Sequence, residues 1–444
     1  MKKIFNPKTV ALIGASGELN TVGFGLANNI LEGKKARKVF FVNPFQKEIL
    51  GEQCFKKIAD IKEKIDLVII AVPQKIVKNV VLECCEKKVG AIIIISSGFK
   101  EAGNIKEEEE IKEIVNRYKI PLIGPNCLGI INPSISLNAS FAPLTPKKGN
   151  IAFLSQSGAL LDSVLGMSQN EDMGFSKIVS YGNEADLSLT DFISYLKDDI
   201  ETKVIAIYFE GLKDGRKFME VAREVSKIKP IVAIKSGRSD MGRAAATTHT
   251  GTLAGDYEVY KAAMKQCGVV LVDTLEELFD SAKALAFLPQ TQDGIGIVTN
   301  GGGLGVLTVD YCTEMGISVP ELNKTTISLL EKNKAMAKVS TKRNPLDVIG
   351  DSLSDRYEAG MEAMLKQKDI HGLIVISTPQ IMTEHEKNAK IVVEMKNKYP
   401  LKPIVCCFLG EPLISSAIKI LEENDVPNYP DVKRAVRSIK SLIK

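Results

Sequence analysis

The sequence predicts an α/β protein built on parallel sheets with crossover helices. Short apolar, β-branched runs alternate with segments of helical period almost throughout the chain. Those runs are nearly continuous in apolar residues, as expected of strands covered by helices on both faces. Several of them lead into turns rich in glycine, serine or asparagine, where a strand passes into a helix.

In order, the first strands are VALIGAS (10–16), KVFFVNP (38–44), DLVIIAVP (66–73), GAIIIISSG (90–98) and PLIGPN (121–126). This first unit is expected to end near NPSISLNASFAPLTPKKGN (132–150), a stretch rich in Ser, Asn and Pro. A partial internal repeat follows. IAFLSQSGALLDSV (151–164) resembles IGIVTNGGGLGVLT (295–308), VIAIYFEG (204–211) lines up with LIVISTPQ (373–380), and PIVAIKSGR (230–238) with PIVCCFLGE (403–411). Three matched strands in the same order predict two similar α/β domains. The expected division is 1–145, 146–288 and 289–444. Only the first copy carries a long extra segment after its third matched strand, RSDMGRAAATTHTGTLAGD (238–256), which reads as a loop and as the place for chemistry.

A chain of 444 residues is too long for one ordinary core, and 45% hydrophobic with 25% charged residues is globular. The formal net charge of +4 is spread along the chain and argues for neither nucleic acid nor a membrane surface. No run approaches the roughly 20 apolar residues that span a bilayer. The acidic run Glu107–Glu110 reads as a solvated helix face. Eight cysteines at irregular spacing, with no CxxC, suggest neither a zinc site nor a disulfide framework, and the expected setting is reducing cytoplasm.

Two turns are candidate anion sites. GASGELNTVGFG (14–25) follows a strand, and such a turn lets backbone N–H groups approach a diphosphate. A nicotinamide enzyme would favour an acid at the end of the second strand to hold the ribose; here that strand ends Val42-Asn43-Pro44. The glycines could also serve only a tight turn. The second turn, Ser155-Gln156-Ser157-Gly158, opens a helix without a Walker motif, and an anion seat and a plain helix cap are both open there.

The three histidines separate by context. His385 sits in a polar helical stretch and reads as surface; His371 precedes a strand and reads as an edge or turn residue. His249 lies among Thr and Gly in the inserted segment, where hydroxyls and amides suit a phosphoryl group. A nucleophilic imidazole must be neutral and oriented by an acceptor. Glu210, at the C-terminal end of VIAIYFE, is the best candidate, and Ser155–Gly158 belongs to the same end of the same sheet.

The order of the glycine turn, GPNCLG (124–129), SQSGAL (155–160), GNEADLS (182–188), FEGLKD (209–214) and TTHTGTLAG (247–255) resembles the alpha subunit of ADP-forming acetyl-CoA synthetase. More distantly it is similar to the alpha subunit of succinyl-CoA synthetase. The resemblance covers essentially the whole chain. It implies a Rossmann-like CoA-binding domain followed by two flavodoxin-like domains. It implies that acyl-CoA, ADP and phosphate are interconverted with acid, CoA and ATP through an acyl phosphate and a phosphohistidine at His249. Glu210 would orient that histidine, and Ser155, Gln156, Ser157 and Gly158 would hold phosphate. Gly14, Ala15, Ser16 and Gly17 would take the CoA phosphates, with Asn43 beside them and Lys47 a further charge. Val72, Pro73, Ser97 and Gly98 would line the groove, with Asn126 and Cys127 at the thioester end, Cys127 as a packing residue. Fused family members carry an ATP-grasp domain, so Mg²⁺ with ADP or ATP is expected on a separate beta subunit, in an α2β2 assembly. No metal site is expected on this chain, and neither nucleic acid nor membrane as partner. A CoA-binding regulatory protein without turnover, or a NAD-dependent oxidoreductase, are the competing readings.

Overall fold

The computed structural model describes residues 1–171, 173–250, 255–336 and 341–444, without the side chains of residues 170 and 247–250. The chain forms two compact units, Met1–Asp273 and Thr274–Lys444. Among the described residues there are three sheets.

The first sheet takes β1 (Thr9–Ile13), β2 (Lys38–Val42), β3 (Glu48–Ile49), β4 (Glu52–Phe55), β5 (Leu67–Ile70), β6 (Ile92–Ile94) and β7 (Leu122–Ile123). Its order is β3-β4-β2-β1-β5-β6-β7, parallel except for the short β3–β4 hairpin. The chain runs outward from β1 to β2 and later returns to pair β5 on the other side of β1. That reversal leaves a crevice at the C-terminal ends of β1 and β5, where ligands of open α/β sheets bind. Val10, Leu12, Leu67 and Ile69 on one face and Ala11, Val68 and Ile70 on the other are fully buried, so these strands are covered on both faces.

The second sheet takes β8 (Gly129–Asn132), β9 (Leu137–Ser140), β10 (Lys148–Ser155), β11 (Phe175–Ser180), β12 (Val204–Phe209), β13 (Ile231–Lys235) and β14 (Val269–Val272). The order β14-β13-β12-β10-β11-β8-β9 reverses between β10 and β12. The third sheet, in the second unit, takes β15 (Ile295–Thr299), β16 (Leu346–Asp347), β17 (Gly372–Ser377) and β18 (Ile404–Phe408) in the order β16-β15-β17-β18. Its run β15-β17-β18 repeats β10-β12-β13, the three strands matched in sequence, and its reversal falls at the equivalent place.

The expected divisions at 145 and 288 cut the chain differently from its contacts. Residues 129–140, placed in the first domain by sequence, hydrogen-bond as antiparallel edge strands into the second sheet through β8 and β11. The same segment is tied back to the first sheet's helices, since Asn29 Nδ2 donates to Ser140 O (2.9 Å) and Ala142 O (2.8 Å). At the other boundary, the helix Leu275–Phe287 packs in the second unit against the helix Val432–Leu442. Arg434 donates there to buried Asp280 from Nε at 2.8 Å and Nη2 at 2.6 Å.

Candidate functional site

The first turn is shaped by close backbone approach. Gly14 leaves β1 at φ +90°, and a Cβ there would lie 2.1 Å from Ala71 O, so no larger residue fits. Gly14 N donates to Val42 O at 3.0 Å. Asn43 holds the turn, with Nδ2 donating to Ala15 O (2.9 Å) and Oδ1 accepting from Phe45 N (2.9 Å). Ser16 Oγ accepts from Glu18 N, and Gly17 N donates to Gln46 Oε1. Thr21 caps the helix Val22–Glu32 through Phe24 N. Both polar atoms of the Asn43 side chain are therefore engaged with backbone, and no carboxylate stands at that strand end for a ribose.

Later strand ends of the first sheet add the rest. Val72 O accepts from Ser96 Oγ at 2.6 Å, Pro73 precedes the helix Gln74–Glu86, and Ser97 is exposed. Gly98, at φ +100°, donates from N to Glu101 Oε1 at 2.6 Å. Asn126 sits at φ +57° with its N donating to Ser96 O (3.0 Å) and its Nδ2 to Asn183 Oδ1 (3.3 Å). Cys127 is buried, its Sγ donating to Ile94 O, and burial pushes its thiol up to about 12. That is a packing thiol, with no thiolate at neutral pH. Lys47 is exposed and its carbonyl accepts from Cys54 N.

In the second sheet, the reversal between β10 and β12 brings Gln156 to Glu210. Gln156 Oε1 accepts from Glu210 N at 2.8 Å and from Gly211 N at 3.4 Å. Ser155 Oγ donates to Ser157 O (2.7 Å), and Ser157 Oγ caps the helix Gly158–Asn170 by accepting from Leu160 N (3.4 Å). The free N–H groups of that helix start make it receptive to an anion. Glu210 is buried, and across the strand pair Lys235 is buried too, with Nζ 4.9 Å from the Tyr260 ring centroid. Burial lowers the pKa of Lys235, and the Glu210 carboxylate partly offsets it. Lys235 and Tyr208, whose phenol hydrogen-bonds Glu210, were not foreseen from sequence. A lysine interrupting the apolar run of β13 was the available signal.

The two sets meet in one cleft of about 590 Å³ within the first unit. Val72, Ser97 and Asn126 line it from the first sheet, and Gln156, Ser157 and Gly158 from the second. Gly14, Ala15, Ser16, Gly17, Asn43, Pro73 and Gly98 are not among its lining residues; neither are Ser155 and Glu210, which are buried. The inserted segment, expected as a loop, forms the helix Asp240–Thr250, which runs beside Lys100–Ala102. Ser239 caps it by accepting from Gly242 N at 3.1 Å, and Ala244–Ala246 are strong helix formers. His249 lies on this helix, but its side chain, like all of 251–254, lies outside the described residues.

The second unit repeats the device. Asn300 Oδ1 accepts from Thr378 N at 2.9 Å, as Gln156 does from Glu210 N. Ser155 pairs with Tyr208 and Thr299 with Ile376, so the structure shifts the sequence match of these strands by one residue, and threonine at 378 rather than Pro379 stands where the first copy has glutamate. His385 differs from its expected surface position: it is half-buried, with Nδ1 3.3 Å from Ser377 Oγ, and burial lowers its pKa. A polar helix start can still turn one residue inward over the strand end it covers. Among the described residues no group of His, Cys, Asp and Glu is placed to hold a metal ion.

Residues 8–133 match the CoA binding domain, 148–285 the succinyl-CoA ligase like flavodoxin domain, and 295–440 the ligase-CoA domain. The fold is thus a Rossmann-like CoA-binding domain followed by two flavodoxin-like domains, the architecture of CoA ligase chains. The acetate–CoA ligase [ADP-forming] I of Archaeoglobus fulgidus is 42% identical over 100% of this chain, which spans 63% of that protein's length. The alpha subunit of acetate–CoA ligase [ADP-forming] II of Pyrococcus furiosus is 39% identical, covering 99% of this chain and 96% of its own. The dinucleotide-forming acetyl-coenzyme A synthetase 1 of Ca. Korarchaeum cryptofilum, solved in complex with phosphate and ADP, superposes at a TM-score of 0.92. It shares 35% identity, and the match covers 99% of this chain and 96% of that one. The chain belongs to the ADP-forming acetate–CoA ligase family.

Proposed function

We propose that this chain is the CoA-handling, phosphohistidine-carrying subunit of an enzyme that interconverts acyl-CoA, ADP and phosphate with acid, CoA and ATP. The observation that carries the reading is the single cleft lined both by strand ends of a CoA-type sheet and by the helix start Gln156–Gly158. A thioester and a phosphate in that cleft can react without either leaving it. By role, residues 1–145 handle CoA, 146–288 the phosphoryl group, and 289–444 complete the ligase scaffold.

Phosphate held by Ser155, Gln156, Ser157 and Gly158 attacks the thioester carbonyl; the C–S bond breaks, and CoA leaves as thiolate and takes up a proton. His249 then attacks phosphorus, forming the P–N bond as the acyl C–O–P bridge opens at phosphorus and the acid leaves as carboxylate. ADP finally takes the phosphoryl group from His249. Glu210 accepts a hydrogen bond from the other imidazole nitrogen and so presents a neutral nucleophile. Lys235 and Tyr208 hold Glu210 in turn. Gly14, Ala15, Ser16, Gly17 and Asn43 form the turn for the CoA phosphates, while Val72, Pro73, Ser97, Gly98 and Asn126 carry the arm toward the reacting carbonyl.

Mg²⁺ and the nucleotide are assigned to an ATP-grasp beta subunit in an α2β2 assembly. The alpha-subunit relatives of Pyrococcus furiosus, matched over 96% and 97% of their lengths, support a separate partner. Eight free, buried cysteines fit a reducing cytoplasm, and no helix among the described residues is long and apolar enough to cross a membrane.

The test is to incubate the chain with acetyl-CoA and labelled phosphate, with and without an ATP-grasp partner, and to locate acid-labile label. Label on His249, lost in His249→Ala and reduced in Glu210→Gln, is expected. If no acyl-CoA labels the protein with the partner bound while CoA still binds, the chain is a CoA-binding protein without turnover.

A further inference from the structure

Of the residues lining the cleft, Asp162 alone carries a formal charge, and no lysine or arginine lines it. Asp162 lies on the helix Gly158–Asn170, one turn beyond Gly158 and so about 6 Å along the axis from the anion seat. Its Oδ1 is buried and makes no hydrogen bond. The other lining is uncharged, part apolar (Val22, Leu128, Phe141) and part polar (Gln74, Asn126, Gln156). Burial raises the pKa of this carboxyl, and no cation offsets that cost. A buried acceptor without a partner is costly unless something that enters the cleft satisfies it.

We propose that Asp162 is a substrate-binding residue that accepts a hydrogen bond from an N–H or O–H donor of the bound acyl-CoA. This rests on the reading that the cleft takes the thioester. Two parts of the ligand carry such a donor: the amides and hydroxyl of the pantetheine arm, and a hydroxyl on the acyl chain. The same carboxylate disfavours an acyl group that ends in a second carboxylate, since two like charges would share a cleft without a lysine or arginine in its lining. Asp162 thereby contributes to the choice of acid.

The test is calorimetric titration of the full chain with CoA, acetyl-CoA and 3-hydroxybutyryl-CoA, in the wild type, Asp162→Leu and Asp162→Asn. Losing a hydrogen bond to a charged acceptor weakens binding by about 10- to 100-fold. A pantetheine donor predicts that loss in Asp162→Leu for all three ligands. An acyl hydroxyl predicts it for 3-hydroxybutyryl-CoA alone. In either case Asp162→Asn, which keeps an acceptor oxygen without the charge, recovers part of the affinity and binds more tightly than Asp162→Leu. Neither substitution removes an existing contact of Oδ1, so both variants are expected to unfold no earlier than the wild type. Equal binding of all three ligands by wild type and Asp162→Leu would overturn the proposal while leaving the cleft reading intact. Failure of the wild type to bind any of them would remove the cleft reading, and the proposal with it.

Discussion

Replacing Gln156 by leucine tests how the site is held. The Gln156 amide oxygen accepts from Glu210 N at 2.8 Å and Gly211 N at 3.4 Å, and Glu210 is buried. Leucine has similar bulk but no acceptor, so the stronger of these donors loses its partner. A buried donor left unsatisfied costs about 1–3 kcal/mol, and the longer second bond adds a fraction of that. The expected loss is therefore about 2–3 kcal/mol, or roughly 30- to 150-fold in the folding equilibrium. For a unit of this size that lowers the thermal midpoint by about 4–12 °C. Gln156→Glu keeps an acceptor for these N–H groups, so it separates loss of the acceptor from the effect of added charge. It also sets a second carboxylate beside Glu210 and the phosphate seat, so phosphate-dependent labelling slows while CoA binding is spared. Urea unfolding monitored by circular dichroism, together with single-turnover labelling, reads both effects. If Gln156→Leu unfolds at the wild-type midpoint, the amide does not hold the Glu210 strand end and the argument fails.

Cys127→Ala should keep phosphoryl labelling and turnover, because a buried thiol raised to about 12 supplies no thiolate; slow maleimide modification of the native wild type is the companion readout. In the second unit, Arg434→Met strands the buried Asp280 carboxylate, and equilibrium unfolding should show a loss of about 3–5 kcal/mol. The carboxyl of Asp162 has a raised native pKa, so the native state binds more protons than the unfolded chain between the unfolded value and the native one. Wild-type stability should accordingly fall relative to Asp162→Asn as pH rises through that window, and a flat difference across urea titrations from acid to neutral pH would contradict the burial.

The central strands were legible because their code is local. Thr9–Ile13, Leu67–Ile70 and Ile295–Thr299 fall on apolar runs bounded by turns, and the matched runs fall on β10, β12 and β13 of the second sheet and β15, β17 and β18 of the third. Edge structure was less legible. β9 lies in a segment of Ser, Asn and Pro whose composition reads as loop, and β8, just before it, joins the second sheet by pairing with β11, 43 or more residues distant in sequence. Composition also misled at residues 240–250, where threonines and glycines drew attention from the alanine run and the Ser239 cap that make a helix. The placement of candidate residues was readable wherever a strand end met a turn: Gly14, Gln156 and Glu210 stand at such ends, and Gln156 borders the cleft. It was not readable where the information is burial alone: nothing local distinguishes Asp162 from a solvated helix residue, and only the cleft gives it meaning.

The amide at the reversal of each flavodoxin-like sheet grips a peptide N–H, which every residue except proline possesses. What hangs from that peptide is left open: glutamate at 210 in one copy, threonine at 378 in the other. Closure of the sheet and the choice of functional group are therefore independent variables. One codon can rewrite what the strand end does without loosening the joint that holds it, which makes this position an inexpensive place for a duplicated domain to gain or surrender a chemistry.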